Sequence, residues 1–297
     1  MRILICSDGT ETGDKPARLG AVLASACKAD VTLLGIAERP EHDAPLRAAL
    51  DSEAQLLGGY GVKPEVVVGA GEPIEQILKQ TTANTYDLVV IGARGKRMSG
   101  EYWRSLRTYE VIKAVPVPIV IANSDSERVA KFLVCTGGKR YIEDAVQLTG
   151  RIAACAGGSV TLLHVMAEPP AIYADLVRLE EDVDALLAAG SELGRNLAAQ
   201  KATLEKLGVT VAVRVRHGLV LEQVFAELHE GEYDMIVTGS SLARGALRHY
   251  IMGDLTRSIV NRADCPVLVA RPAKGLTSGL WSSLKRIFSS PADSGAT

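Results

Sequence analysis

The residues best suited to chemistry lie in one loop that combines glycines with positive charges. Gly92-Ala93-Arg94-Gly95 directly follows an apolar run, and more cations come after it: Lys96, Arg97, Arg104 and Arg107. Glycine lets a backbone approach an anion closely, and the start of a following helix offers unpaired N–H groups with a partial positive charge. The pattern therefore favours contact with phosphate groups. The simpler alternative is that the glycines only allow a sharp turn after the strand and that the basic side chains are exposed to solvent.

A carboxylate near the start of the chain is the second candidate group. Ser7-Asp8-Gly9 ends the apolar run at 2–7, so Asp8 could face a ligand at the end of a strand. The alternative is that Asp8 and Gly9 form only a turn and a helix cap. The sequence contains no metal-ligand spacing, no nucleophile–base signature and no G-x-x-x-x-G-K-[ST] loop. An enzyme is therefore the weaker prediction, and no catalytic residue is assigned.

The elements that must position these residues occur twice in the chain. Arg2–Gly9 returns at Lys131–Gly138, 129 positions later, and Tyr86–Gly92 returns at Tyr233–Gly239, 147 positions later. Repeats of this length indicate two tandem globular domains, since solenoid repeats are much shorter. We predict domains at 1–125 and 129–272 with a short polar linker between them, followed by a disordered Gly/Ser/Pro-rich tail at 273–297.

Within each domain, apolar runs alternate with helical patterns. This alternation predicts an α/β fold with a parallel sheet, right-handed crossovers and ligand sites at the carboxyl ends of the strands. In the first domain we predict strands at 2–7, 31–36, 64–68, 87–91 and 118–122, and helices at 16–29, 44–58, from Glu72-Pro73 onward, and at 102–114. The second domain has extra residues within 166–207, where leucines at helical spacing predict one longer amphipathic helix.

Four segments, taken in order, resemble the universal stress protein family. They are Ile3–Gly9, Val31–Ile36, Asp87–Gly95 and Pro116–Val120, and each has a counterpart in the second half. The chain thus looks like a tandem member of the family over residues 1–272. The resemblance implies two open five-stranded parallel sheets with strand order 3-2-1-4-5. Because the last strand commonly makes the dimer contact in this family, it also implies that the halves pair through that strand as a pseudo-twofold dimer.

The resemblance also implies a nucleotide site in the first half. Family members that hold ATP use an Asp after the first strand and a loop of the form G-x2-G-x9-G-(S/T). Asp8 matches the acidic position, whereas Ser105 stands at the third glycine and Leu106 replaces the hydroxyl. The implied ligand is ATP or AMP, with Mg2+ only alongside ATP. The implied nucleotide-binding residues are Ser7, Asp8, Ile36, Gly92, Arg94, Gly95 and Ser105.

The second half departs from the family pattern more severely. Thr136-Gly137-Gly138 lacks the carboxylate, and Leu242 or Ala243 stands at the second glycine. Asp254 follows Gly253 where the family has Ser or Thr, and a carboxylate that faces a triphosphate repels it. The second half is therefore predicted to be a degenerate structural partner.

Bulk properties restrict the remaining classes of function. The 297-residue chain has a net charge of −2, which argues against a general binder of nucleic acid or anionic membranes. No apolar run reaches membrane-spanning length, and a first strand at Arg2 leaves no room for a secretory signal. Five cysteines without C-x-x-C spacing predict buried thiols in a reducing compartment, hence a cytoplasmic protein.

These observations predict a non-catalytic stress-response regulator that binds nucleotide weakly in its first half. One alternative is a nucleotide-independent scaffold that acts through unknown protein partners, to which the amphipathic segment Trp281–Phe288 could contribute. A second alternative is a slow ATPase. A further homodimer of the whole chain is also compatible with the resemblance.

Overall fold

The computed structural model describes residues 1–9, 14–93, 95–98, 101–104, 106–137, 142–167, 183–188, 190–239, 241–242, 250–251 and 253–271. The predicted tail at 273–297, which contains Trp281–Phe288, lies outside the described residues. The site residues Arg94 and Ser105 also lie outside them.

The first half alternates strands and helices as its apolar pattern predicts. Its strands are β1 (Arg2–Ser7), β2 (Asp30–Ala37), β3 (Glu65–Ala70), β4 (Leu88–Gly92), β5 (Gly95–Met98), β6 (Glu101–Arg104) and β7 (Ile119–Ala122). Its helices are α1 (Asp14–Cys27), α2 (Asp43–Gly59), α3 (Pro73–Ala83) and α4 (Leu106–Ala114). The helix α3 begins at the predicted position because the Glu72 carboxylate accepts a hydrogen bond from the Ile74 N–H at 3.0 Å, and because proline suits a first turn.

The second half repeats this order with an insertion after its second strand. Its strands are β8 (Lys131–Cys135), β9 (Ser159–Met166), β10 (Thr210–His217), β11 (Met235–Gly239), β12 (Ser241–Leu242), β13 (Tyr250–Ile251) and β14 (Val267–Ala270). Its helices are α5 (Glu143–Cys155), α6 (Val183–Ala188), α7 (Glu192–Lys206), α8 (Val220–Gly231) and α9 (Asp254–Arg262).

Two predicted helices differ from the observed ones. The single long helix within 166–207 is wrong, because Gly190 adopts a φ of +64° and the Ser191 hydroxyl then caps a new helix by accepting from the Gly194 N–H at 3.0 Å. The helix predicted at 102–114 begins only at Leu106. The preceding residues 101–104 form β6, which pairs antiparallel with β5, in keeping with the strand preference of Tyr102 and Trp103.

Ten of the described strands form one continuous sheet in the order β10-β9-β8-β11-β14-β7-β4-β1-β2-β3. Each half contributes five parallel strands in the predicted order 3-2-1-4-5. The two sets meet where β7 pairs antiparallel with β14, with Val120 opposite Leu268. The predicted pairing of the halves through their last strands is therefore confirmed, and it merges the two sheets into one.

Helices cover both faces of this sheet and bury its strands. Side chains of α1, α2, α5 and α7 belong to the core on one face, and those of α3, α4, α8 and α9 belong to the core on the other. Ile3, Leu4 and Ile5 of β1 are fully buried in succession. This two-sided burial explains why the strands appear in the sequence as unbroken apolar runs.

Side chains reinforce the junction between the halves from both directions. Asn123, just after β7, donates from Nδ2 to the carbonyl oxygens of Ala263 at 3.1 Å and Cys265 at 3.2 Å. At the corresponding position after β14, the buried Arg271 guanidinium donates to the Ile112 carbonyl of α4. Each half therefore supplies hydrogen-bond donors to carbonyl groups at or shortly after the end of a helix in the other half.

Replacing Asn123 with alanine should destabilise the protein at this junction. The change leaves the Ala263 and Cys265 carbonyls without their donor, which costs about 1–3 kcal/mol in the free energy of unfolding. Urea unfolding followed by circular dichroism would measure it. Ser124→Ala is the matched control in the same linker, because Ser124 makes only a 3.4 Å contact with Ser126, and it should change stability by less than about 0.5 kcal/mol. Equal losses in the two variants would contradict the role given to Asn123.

Candidate functional site

The carboxyl ends of β1, β2 and β4 bring several predicted site residues to one edge of the first half. Ser7 lies opposite Gly35 in the β1–β2 register, and the half-buried Ile36 follows directly on β2. Gly92 ends β4 at the same edge, and a Cβ added to it would lie 3.3 Å from Pro16 Cγ. The first turn of α1 therefore packs closely over the start of the glycine-containing loop.

A chain of hydrogen bonds fixes the loop that carries Asp8. The buried Ser7 hydroxyl donates to Glu53 Oε1 at 2.6 Å and accepts from the Gly9 N–H at 3.1 Å. Gly9 adopts a φ of +70°, and a Cβ there would come within 3.2 Å of the Leu46 Cα, so both the conformation and the space require glycine. Because Asp8 lies between two residues held in this way, its backbone position is set by Glu53 on α2.

Glu53 itself is an unusual group at this position. It is only 2% exposed, and Oε2 has no hydrogen-bond partner among the residues that the structure describes. Burial raises the pKa of this carboxyl to about 7, against the effect of the Ser7 hydrogen bond, and the charges of Asp14 and Asp8 raise it further. Strongly shifted carboxyl groups of this kind are concentrated at functional sites.

The second half has an amide at the repeat-equivalent position. Gln200 follows Glu53 by 147 positions, the same spacing that relates Leu50 and Leu57 to Leu197 and Leu204. It is 3% exposed, and neither amide atom has a hydrogen-bond partner in the described part of the chain. The hydrogen-bond chain that holds the Asp8 loop therefore has no counterpart through Gln200.

Two further differences separate the carboxyl edge of the second half from that of the first. His164 stands on β9 where the first half has Gly35, and its Nδ1 lies 2.9 Å from the Thr136 carbonyl oxygen. At the start of α9, Asp254 occupies the first helical turn directly after the cap residue Gly253. The partial positive charge of a helix N-terminus is thus next to a carboxylate of the protein itself.

Similarity to known proteins agrees with this architecture. The model of the universal stress protein family matches the chain twice, over residues 1–123 and 129–271. The chain belongs to the universal stress protein family. The curated relative Universal stress protein Slr1230 of Synechocystis sp. is 21% identical over 189 residues, which cover 63% of this chain and 58% of that protein. The chain therefore matches little more than half the length of that relative.

Solved structures show the same tandem fold. A universal stress protein from Archaeoglobus fulgidus superimposes with a TM-score of 0.66 at 19% identity, covering 92% of this chain and 98% of that one. A candidate universal stress protein from Pseudomonas aeruginosa gives a TM-score of 0.68 at 14% identity, covering 97% and 98%. At such identities, the likeness shows only the fold of this universal stress protein.

The predicted residues Ser7, Ile36 and Gly92 lie at this edge of the sheet, and one further residue of the edge, Glu53, was not predicted. Gly95 begins β5, pairing with Arg104 in the β5–β6 hairpin. The sequence nevertheless contains a signal for Glu53. It lies between Leu50 and Leu57 on the buried stripe of α2, where a carboxyl group requires an explanation.

Metal sites and membrane-spanning helices were sought among the described residues. They contain no group of three or more His, Cys, Asp or Glu side chains that could hold a metal ion. In the same part of the chain, no helix is both long enough and apolar enough to cross a bilayer.

Glu53→Gln should stabilise this universal stress protein in a pH-dependent way. Between the ordinary pKa of 4.5 and the folded value of about 7, the folded state keeps a proton that the unfolded state has released, so wild-type stability falls as pH rises through this window. The glutamine can still accept from Ser7 but carries no charge. The variant should match the wild type near pH 4.5 and exceed it by about 1–3 kcal/mol at pH 8.

Urea unfolding of both proteins from pH 4.5 to pH 8 would measure this difference. The matched control is Gln200→Glu in the second half, which buries a new carboxyl group and should lose stability as pH rises. A stability difference for Glu53→Gln that stays constant with pH would show that the Glu53 carboxyl is not buried in its charged form.

Proposed function

We propose that this protein is a non-catalytic, cytoplasmic stress-response regulator whose first half binds ATP or AMP weakly and whose second half is a structural partner. The observation that carries the proposal is the Glu53–Ser7–Gly9 hydrogen-bond chain, which holds Asp8 at the carboxyl edge of the sheet. The second half lacks this chain through Gln200. An arrangement kept in one repeat and lost in the other is expected where only one repeat binds a ligand.

Recognition in the first half follows from the groups at that edge. Asp8 can accept hydrogen bonds from the amino and hydroxyl groups of a nucleoside, and Ile36 offers a half-buried apolar surface to the base. On the family resemblance, we assign the ribose and phosphates to four residues of the following loop: Gly92, Arg94, Gly95 and Ser105. Mg2+ is proposed only alongside ATP, whose phosphates would carry it.

The second half is unsuited to the same ligand for three physical reasons. An imidazole at position 164 replaces the glycine of the first half, and the buried amide of Gln200 replaces the carboxyl group. Asp254 places a negative charge at the helix N-terminus where a phosphate would otherwise be favoured. We therefore assign no nucleotide to this half.

A scaffold that acts through protein partners is the second candidate function. Leu219 and Val220, adjacent residues at the start of α8, expose 68% and 44% of their surface. They follow directly after β10, an edge strand of the sheet. Exposed apolar groups beside β10, which ends the sheet among the described residues, are a surface that a partner protein could cover.

Asp8→Ala should weaken nucleotide binding about tenfold or more, because it removes hydrogen bonds to a charged acceptor worth roughly 1.5–3 kcal/mol. Calorimetric titration of ATP and AMP with Mg2+ into nucleotide-free protein would measure this effect, with an expected stoichiometry near one per chain. Asp254→Ala, in the other half, is the control and should leave the affinity unchanged. Equal affinities of wild type and Asp8→Ala would place the site elsewhere, and no heat at millimolar nucleotide would favour the scaffold.

A further inference from the structure

Two thiols from different halves of the protein meet between α1 and α5. Cys27 is the last residue of α1, and Cys155 is the last residue of α5. The two helices pack against each other, and the Cys155 thiol is a neighbour of the Cys27 thiol. Since 128 positions separate the two cysteines and the repeats are 129 apart in this region, they are not repeat-equivalent and are brought together by the fold.

Backbone hydrogen bonds hold both helix ends in place. After Cys27, Lys28 adopts a φ of +48° and the Ala29 N–H donates to the Ala24 carbonyl at 2.9 Å. After Cys155, Gly157 adopts a φ of +61° and the Gly158 N–H donates to the Ala153 carbonyl at 2.8 Å. Each cysteine therefore lies at a helix end whose backbone is held in place. Its sulfur can move mainly by rotation about the side-chain bonds.

Among the five cysteines, Cys155 is the one that is exposed. Its partner Cys27 is half-buried, and burial raises the pKa of the Cys27 thiol more than the positive charges of the N-terminal amino group and Arg151 lower it. Burial raises the pKa of the Cys6, Cys135 and Cys265 thiols to about 12, which keeps them in the unreactive protonated form.

The order of reaction also follows from these positions. Burial and the neighbouring Cys155 thiol raise the pKa of the Cys27 thiol to about 12, so Cys27 is a poor first nucleophile. Cys155 is the exposed member of the pair and meets a dissolved oxidant first. Once Cys155 is oxidised, Cys27 is the neighbouring thiol in position to attack it.

We propose that Cys27 and Cys155 form a peroxide-sensitive disulfide that joins the two halves of the chain. In the first step, the Cys155 sulfur attacks a hydroperoxide, takes up its terminal oxygen as a sulfenic acid and releases the alcohol, or water when the oxidant is hydrogen peroxide. In the second step, the Cys27 sulfur attacks the Cys155 sulfur, the S–S bond forms, and the hydroxyl leaves with the Cys27 proton as water. The peroxide is reduced and the two thiols are oxidised, and a dithiol reductant reverses the change.

The disulfide would connect the two repeats beyond the sheet that they share. α1 belongs to the first half, and its opposite end packs over Gly92 through Pro16 at the candidate nucleotide edge. A covalent link at the far end of α1 restricts movement of this helix relative to α5. This inference does not depend on nucleotide binding and can be tested without any nucleotide.

The test uses the full chain with a protease recognition sequence inserted between the exposed residues Glu127 and Arg128. The protein is treated with hydrogen peroxide, blocked with a thiol-alkylating reagent, cleaved at the inserted site and run on a denaturing gel without reductant. We expect the two halves to migrate together after peroxide and apart after a dithiol. Mass spectrometry of the intact chain should show the loss of two hydrogen atoms, and peptide mapping should assign the link to Cys27 and Cys155.

Matched variants distinguish this pair from the other thiols. Cys27→Ser and Cys155→Ser should each abolish the linked product completely, whereas Cys6→Ser should leave its yield unchanged. Peptide mapping of the wild type alone also decides the matter if a variant fails to fold. Halves that separate after peroxide, a link through another cysteine, or a product of twice the chain mass formed through the exposed Cys155 would each overturn the proposal.

Discussion

The antiparallel pairing of β7 with β14 is the contact on which the rest of the molecule depends. It merges two parallel sheets into one and orients them in opposite directions. The carboxyl ends of the strands therefore face one edge in the first half and the opposite edge in the second. A ligand at one edge contacts the strands of one half only. For this reason a site can be lost from one half without changing the strands that bury the core or the contact that joins the halves.

The buried polar position on the second helix of each half shows this freedom at the level of one residue. Glu53 and Gln200 occupy equivalent places between equivalent leucines, and both are almost fully buried. The carboxyl group is the more costly of the two to bury in its charged form, by an amount that its raised pKa reports. It also makes the strong hydrogen bond that orients Ser7. Such a cost is reasonable where a loop must be held for a ligand, as we propose for the first half.

The sequence predicted the architecture well because two-sided burial leaves a strong pattern. The runs around Ile3–Ile5 and Val89–Ile91 could only be covered strands, and their repetition fixed the tandem order. Local breaks were harder to predict. Leucine spacing continues across Gly190, so periodicity alone could not show that a positive φ and the Ser191 cap divide the helix there. The contact between Ser7 and Glu53 spans 46 positions and depends on how α2 packs, which no local pattern contains.

Covalent fusion of the two repeats has a consequence for the contact between α1 and α5. In a symmetric dimer of identical chains, any pair of residues near the twofold axis occurs twice, so a cysteine at each of two neighbouring positions gives two equivalent contacts. In this chain, Cys27 has an alanine at its repeat-equivalent position, Ala156, and Cys155 has Ala26. The fused chain therefore contains this thiol pair once, and the second pair that symmetry would generate is a pair of alanines. Because the two halves need not be identical, the position of Asp8 is Gly137 in the second half, and the position of Glu53 is Gln200. One unequal chain can thus carry a ligand site in one half and a single covalent link between the halves.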